Sequence, residues 1–414
     1  MVLPIKIHPF DNFKTAITDP EYFFGRTSLI TQIKRYPFTV QILLGGRRIG
    51  KTSTLRAIEW EFLNPGNVPT GCPFPVFIAL NVEQPESLNH LRYILIRSLG
   101  ETMCRWKKAS NNKRSLHQIY NNFLKQIVSA DVAIGPFLKL KISNPRLTRQ
   151  LDHESFREAL IDALREFQNN TIFKPFEGIC FLLDEAEYIV SCDWSDDAWS
   201  YFRGLKDTDT ALKSLIGLII SGYRDVKDYH QKIGSALHNI SDIHWLTNLS
   251  GKEMRLLINQ RAKFEGLSFD GNEIQTIQDW SGGHPFLLQQ ILNTVFDDRL
   301  TETFSSMEDL FTKLLRIDII NHTFSSWWNS EGKTDGLSET ERQIYYALMQ
   351  SRKLTIEELS RSTNLSESMT DDGLVVLSGT GLVNTSNNKY YTISSKLFQA
   401  WVMYRSGKSS VKSQ

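Results

Sequence analysis

Short apolar runs alternate with longer helical patterns through residues 24–245. Five runs have the length and composition of β-strands: residues 40–44, 76–80, 179–183, 215–220 and 243–246. Three of them are almost wholly apolar, as expected for strands covered by helices on both faces of a sheet. The alternation predicts an α/β domain over residues 1–246, in which a parallel sheet is flanked by helices.

Beyond residue 246 the pattern becomes helical. Ser250 followed by Glu253 indicates a capping box at the start of a helix. Residues 280–285, Trp-Ser-Gly-Gly-His-Pro, end one helix with glycine and start the next with proline. These signals predict a helical domain over residues 247–330.

The last part of the chain has the pattern of a winged helix. Residues 331–336 are polar and contain glycine, which indicates a linker. Three short helical patterns follow, and their predicted N-caps are Ser338, Thr355 and Ser366. A hairpin pattern comes next, with strands at 380–383 and 390–393. Three helices and a hairpin predict a winged-helix domain over residues 331–414.

An insertion is predicted at about residues 101–150, between the second and third strands. It opens with a basic stretch (Arg105, Lys107, Lys108, Lys113 and Arg114) and continues with a period-two strand pattern at 138–142. Two interpretations stay open. The segment is a solvated surface insertion, as charge runs usually are, or it contacts a partner or a nucleic acid.

Composition limits the class of protein more than its chemistry. The chain has 414 residues, 41% of them hydrophobic, and a net charge of +1, so overall charge argues neither for nor against nucleic acid. The four cysteines lack metal-ligand spacing and favour reduced thiols in a cytosol. No signal-peptide core or bilayer-long apolar run is present, which predicts a cytoplasmic protein without a membrane partner.

Residues 45–52, Gly-Gly-Arg-Arg-Ile-Gly-Lys-Thr, match the phosphate-binding loop pattern between a predicted strand and a predicted helix. Backbone N–H groups of such a loop point inward at a helix N-terminus and can hold a polyphosphate. Lys51 would reach the β- and γ-phosphate oxygens, and the hydroxyl of Thr52 would be a ligand of Mg²⁺. The alternative is an ordinary glycine-rich turn.

A second motif strengthens the nucleotide interpretation. The apolar run 179–183 ends in Asp184 and Glu185. The strand would bring Asp184 to the Mg²⁺ shell beside the loop, and Glu185 would orient and deprotonate the attacking water. Taken alone, the same acids would suit the cap of a following helix.

Two further residues are candidate phosphate contacts. Arg224 follows the predicted strand 215–220, whose carboxyl end lies on the same sheet edge, and a guanidinium binds phosphate oxygens bidentately. The alternative is an ion pair with Asp225 or with a surface acid. His284 precedes Pro285 at a predicted helix N-terminus, where a neutral imidazole could donate to a β-phosphate; the alternative is a simple helix cap.

Together these motifs resemble the STAND branch of the AAA+ ATPases, especially its archaeal-type members, over about residues 23–404. Phe24-Gly25-Arg26 resembles the family's box upstream of the loop, and residues 282–285 resemble the lid motif whose histidine reads the bound nucleotide. The Arg-Arg pair inside the loop is also similar, as is the order of domains, which implies that the helical domain 247–330 is a lid on the first domain. The chain differs by stopping after the winged helix and by lacking a clear arginine finger.

The resemblance implies a P-loop ATPase that binds ATP or ADP with Mg²⁺. Lys51, Asp184, Glu185 and Arg224 would be catalytic, and Thr52 and Asp184 would hold the metal. The implied nucleotide contacts are Phe24, Gly25, Arg26, Gly45, Gly46, Arg47, Arg48, Ile49, Gly50, Lys51, Thr52, Ser53, His284 and Pro285.

Three functions are compatible with these residues. The first is a slowly hydrolysing switch whose nucleotide state controls the lid, the winged helix and assembly with a protein partner or with itself, in defence or mobile-element biology. The second is a DNA-acting ATPase of the replication-initiator or transposition-regulator type. The predicted third helix of the winged helix carries acids and no Lys or Arg, which disfavours DNA. The third is a pseudo-enzyme that holds nucleotide as a structural element.

Overall fold

In the computed structural model, the described residues are 15–64, 72–110, 150–264, 266–329, 336–351, 353–387 and 389–405. Within them, five parallel strands form one sheet in the spatial order β2-β3-β4-β1-β5. The strands are β1 (Val40–Leu44), β2 (Cys72–Ala79), β3 (Phe176–Asp184), β4 (Ile216–Gly222) and β5 (Ser241–Trp245). The predicted parallel α/β fold is therefore confirmed. The predicted strand 40–44 coincides with β1. The other four predicted strands differ from the observed ones at their ends, because pairing with neighbouring strands sets where each strand ends.

Helices connect and cover these strands. Every residue of β1 and β4 is buried, as expected when helices cover both faces of a parallel sheet. The helices of this part are α1 (Thr27–Arg35), α2 (Lys51–Leu63), α3 (Leu80–Glu83), α4 (Leu88–Ser110), α5 (His153–Asn169), α6 (Glu187–Val190), α7 (Ser195–Asp207) and α8 (Arg224–Gln231). Because β4 lies between β1 and β3, the carboxyl ends of these three strands meet at one edge.

The second half of the chain is mainly helical. The part that follows the sheet contains α9 (Gly251–Phe264), α10 (Gly271–Ser281), α11 (Pro285–Leu300), α12 (Met307–Leu314) and α13 (Asp318–Trp328). The winged helix contains α14 (Glu339–Gln350), α15 (Ile356–Thr363), α16 (Glu367–Gly379), β6 (Val383–Ser386), β7 (Tyr390–Ile393) and α17 (Lys396–Arg405). Capping boxes begin α14 and α15 as predicted, and the hydroxyl of Ser366 caps α16.

Buried apolar residues form two clusters. The first surrounds the sheet and runs along the chain from Ile30 to Leu237. The second contains Phe24 and extends from Leu249 to Val402, so it includes both the predicted lid and the winged helix. The predicted boundary between those two domains, near residue 330, therefore crosses one continuous core and stays a prediction.

The predicted insertion lies mostly outside the described residues, since 111–149 are not among them. Residues 101–110 form the last turns of α4, and Trp106 in this stretch is buried against the sheet core. Arg105, Lys107 and Lys108 therefore lie on a core helix. None of the helices in the described part of the chain combines the length and apolarity that a bilayer span requires.

Candidate functional site

The loop between β1 and α2 folds back on itself around Lys51. The Lys51 ammonium donates to the carbonyl oxygen of Gly45 (2.8 Å) and to that of Gly46 (3.3 Å). Gly50 has φ +100°, a left-handed conformation that glycine adopts without strain. The first turn of α2 thus presents its free N–H groups and a lysine at the sheet edge.

The Asp184 carboxylate joins the ends of β1, β3 and β4. It accepts a hydrogen bond of 2.7 Å from the Thr52 hydroxyl at the start of α2, and a second from the Ser221 hydroxyl at the end of β4. Asp184 is only 3% exposed. A hydroxyl beside a carboxylate at a phosphate-binding loop is a donor set that suits Mg²⁺, so Thr52 and Asp184 fit the metal that the motifs imply.

A tight turn follows β3. Glu185 has φ +57°, and its N–H donates to the Ser221 hydroxyl at 3.2 Å, while the N–H of Ala186 donates to the Ser221 carbonyl at 2.9 Å. Ser221, three positions before Arg224, is thus the residue that fixes the acidic turn. The Glu185 side chain is exposed and lines the cavity described next.

A cavity of about 760 Å³ lies beside the loop, a volume suited to a mononucleotide. Lys51, Thr52 and Glu185 line it. Apolar and aromatic side chains of the N-terminal segment and of the lid also line the cavity. They are Ile17, Tyr22, Phe24, Leu257 and Phe286. The cavity therefore has one wall fit for phosphates and another fit for a flat apolar ring.

Glu187 is a cavity residue that the sequence motifs missed. Within the described residues its Oε2 atom is buried and has no hydrogen-bond partner. Burial raises the pKa of this carboxyl, and the positive charge of Lys51 opposes the rise. The sequence could have suggested Glu187 as a third acid of the site, because it lies two positions beyond Glu185, at the start of the helix that follows β3.

The upstream box links the loop to the lid. The N–H of Arg26 donates to Glu253 of α9 at 2.8 Å, and its guanidinium donates to the Ile49 carbonyl at 3.3 Å. Burial lowers the pKa of Arg26 to about 10. Gly25 has φ +85°, and a Cβ there would lie 2.8 Å from a side-chain atom of Leu249. Glycine at position 25 therefore suits both this backbone conformation and the close packing of the box against the lid.

Two other predicted contacts connect the loop to neighbouring segments. The Arg48 guanidinium lies 4.5 Å from the ring centroid of Phe286, at the start of α11, in a cation–π contact. The Ser53 hydroxyl accepts the N–H of Ile17 at 3.0 Å and so holds the N-terminal segment at the cavity. Among the remaining loop residues, Ile49 is fully buried and Arg47 is exposed.

The winged helix contacts the loop directly. The N–H of Gly46 donates to the carbonyl of Gly379, the last residue of α16, at 2.8 Å. A Cβ on Gly46 would lie 2.8 Å from the Cα of Thr380, and a Cβ on Gly379 would lie 2.1 Å from the indole of Trp245. Glycine at position 46 allows the loop backbone to approach that of Thr380, and glycine at position 379 leaves room for the indole of Trp245.

Arg224 lies in an ion pair between domains. Its guanidinium binds both carboxylate oxygens of Glu341 in α14, at 2.7 and 2.8 Å, and also donates to the Gly336 carbonyl at 3.1 Å. Glu341 also accepts the N–H of Ser338 in its capping box. The sequence left open a phosphate contact or a pairing with an acid. The structure shows the pairing, with an acid of the winged helix, and the phosphate contact stays a prediction.

His284 is enclosed behind the cavity wall. Pro285 lines the cavity, whereas His284 is 0% exposed and its ring centroid lies 4.7 Å from that of Trp327. Among the described residues, neither ring nitrogen has a hydrogen-bond partner. Burial, helped by the charges of Arg26 and Arg48, lowers the pKa of His284 to about 3. Burial rather than the helix start thus keeps the imidazole neutral, and its donation to a β-phosphate stays a prediction.

Comparison with known proteins supports the fold. Residues 334–399 match the model of the sugar-specific transcriptional regulator TrmB. The Walker-type ATPase of Pyrococcus abyssi superposes with a TM-score of 0.56 at 16% identity, over 95% of this chain and 99% of that one. The ADP form of the Aeropyrum pernix ORC2 protein gives 0.46 at 14% identity, over 97% and 98%. No curated protein matches the sequence. The first structure shows that the chain has the fold of a P-loop ATPase, and the model match places a TrmB-like winged helix at its end.

Burial of neutral His284 makes stability depend on pH. Because the pKa is about 3 in the folded chain and about 6.5 in the unfolded chain, the unfolded state binds the extra proton between these values. The free energy of unfolding should therefore fall by about 1.4 kcal/mol per pH unit as pH drops below 6.5. His284→Asn should remove this part of the slope in urea titrations at pH 5–7.

The exposed residue His322 provides the control. His322→Asn should leave the slope between pH 5 and 7 as in the unchanged protein. Equal slopes for the His284→Asn variant and the unchanged protein would contradict the buried, neutral state.

Proposed function

We propose that this chain is an ATP-binding, slowly hydrolysing switch of the STAND type, whose nucleotide state sets the position of the lid and the winged helix. The observation that carries the proposal is the meeting of Thr52 and Asp184 at 2.7 Å beside a loop that also contacts the winged helix. A phosphate site and a domain interface share the same backbone. Occupancy of one can therefore bias the other.

Each residue at the sheet edge would have a separate role in ATP hydrolysis. Mg²⁺, when bound, would neutralise charge on the phosphates, and Thr52 and Asp184 would hold it. Lys51 would leave its carbonyl partners for the β- and γ-phosphate oxygens. Glu185 would accept the proton of the water that attacks the γ-phosphorus, while the bond to the bridging oxygen breaks and ADP leaves. The absence of a clear arginine finger in the sequence favours slow turnover.

The switch would act through Arg224. In the described arrangement this guanidinium is held by Glu341, although it follows a strand whose end lies beside the cavity. A γ-phosphate reached by Arg224 would compete with Glu341, whereas ADP lacks that group. ADP would thus keep the winged helix on the loop, and ATP would favour its release and assembly with a protein partner or a second copy.

A DNA-acting ATPase is the second candidate, because residues 334–399 match a transcriptional-regulator model. Its difficulty is the charge of α16, the helix that would read DNA in a winged helix. Glu367, Asp371 and Asp372 are exposed on it, and the helix has no Lys or Arg. Phosphates would repel this surface, and the C-terminal end of α16 already contacts the loop.

Removal of the loop lysine tests the nucleotide assignment. Lys51→Ala should weaken ATP and ADP binding by about 10- to 100-fold, since charge-assisted contacts to phosphate are lost. Glu185→Gln should keep binding and lower turnover. Calorimetry and single-turnover hydrolysis of labelled ATP, each with and without duplex DNA, measure both effects.

Three outcomes separate the candidates. Tightly held ADP after purification and slow turnover that DNA does not change would support the switch. Turnover stimulated severalfold by DNA would favour the second candidate. Binding and turnover that Lys51→Ala leaves unchanged would contradict both.

The interdomain ion pair makes a separate prediction. Glu341→Gln keeps the capping box, because glutamine also serves at this position, but removes the charge that holds Arg224. The lost pair should raise the rate of ADP release about tenfold and increase the radius of gyration seen by small-angle scattering with ADP bound.

Glu339→Gln is the matched control, since Glu339 lies on the same helix and pairs at the surface with Arg342. It should leave both quantities unchanged. A Glu341→Gln variant that behaves like Glu339→Gln would show that the pair does not hold the winged helix.

A further inference from the structure

One buried polar side chain interrupts the apolar wall of the cavity. Gln289 lines the cavity together with Tyr22, Phe24, Leu257 and Phe286, yet it is only 4% exposed. Its Oε1 atom is buried and has no hydrogen-bond partner within the described residues. A buried acceptor without a donor is destabilising. A half-turn of the carboxamide about its last side-chain bond would present Oε1 to a ligand in the cavity that supplies an N–H group.

The position of Gln289 on α11 places it near the base of a nucleotide. Residues three and four apart share a helix face, so Gln289 lies on the same face as Phe286 and Pro285. All three line the cavity. Phe286 also contacts Arg48 of the phosphate loop. A nucleotide with its phosphates on the loop would therefore bring its base against this face.

We propose that Gln289 selects adenine nucleotides by binding the N6 and N7 edge of the base. Oε1 would accept a hydrogen bond from the exocyclic N6 amino group, and the amide Nε2 would donate to N7. Guanine and hypoxanthine carry an O6 acceptor beside N7, so a carboxamide, with one donor group and one acceptor, satisfies only one of the two atoms in either orientation. This inference rests on the proposed function and names the base of its nucleotide.

ADP and inosine diphosphate test the inference, because they share ribose and phosphates and differ at position 6 of the base. We expect nucleotide-freed protein to bind ADP about 10- to 100-fold more tightly than inosine diphosphate in calorimetry with Mg²⁺. Gln289→Leu should weaken ADP binding more than inosine diphosphate binding, because ADP loses two hydrogen bonds and inosine diphosphate at most one, so that the preference falls to within about threefold. Gln289→Met, which also lacks the amide, should behave in the same way.

Gln290 provides the control. It is the next residue of α11, is 3% exposed and also has a buried Oε1, but it is not among the described residues that line the cavity. Gln290→Leu should keep the full preference for ADP. Because the readout is a ratio within one protein, a partly unfolded variant does not distort it.

The measurements distinguish a failure of the Gln289 inference from a failure of the proposed function. Equal affinity of the unchanged protein for ADP and inosine diphosphate would overturn the role of Gln289, as would a preference that survives Gln289→Leu and Gln289→Met. Lys51→Ala should weaken both diphosphates equally, which reports on the phosphate wall alone. Binding of neither diphosphate to the unchanged protein would contradict the proposed function itself.

Discussion

The buried carboxylate of Asp184 is the constraint on which the site depends. Two hydroxyl donors, from Thr52 and Ser221, compensate its removal from water and at the same time fix the ends of three neighbouring strands. Loss of either donor would leave a carboxylate oxygen buried without a partner, which is more costly than the hydrogen bond itself. The geometry of the loop and of the acidic turn follows from satisfying this one charge.

The loop has a second set of partners on its outer side. Gly46 meets the backbone of Gly379, and Arg48 lies over the ring of Phe286. One segment of six residues between β1 and α2 thus contacts the winged helix and the lid while it borders the cavity. Packed backbones without side chains between them have little room to adjust, so a shift of the loop would also displace these partners.

Local patterns predicted the strands, the loop, the acidic strand end and the capping boxes, because each depends on residues close in sequence. The partners of Arg224 and Gly46 were not predictable in this way. Each contact joins residues more than a hundred positions apart. No local sequence pattern identifies the distant partner of a glycine or a glutamate. His284 was predictable in part. Its place at a helix start follows from the neighbouring Gly and Pro, whereas its enclosure beside Trp327 depends on the packing of another helix.

The distribution of apolar contacts indicates where the molecule can open most easily. The lid and the winged helix share one hydrophobic cluster, whereas the sheet has another. The contacts between the two parts include polar and backbone contacts, such as the pair of Arg224 with Glu341 and the bond of Gly46 to Gly379. Water can replace polar contacts at a small net cost, but separation of a shared core exposes apolar surface. A motion that moved the lid and the winged helix as one body away from the sheet would leave their shared cluster intact, and it would uncover the phosphate loop.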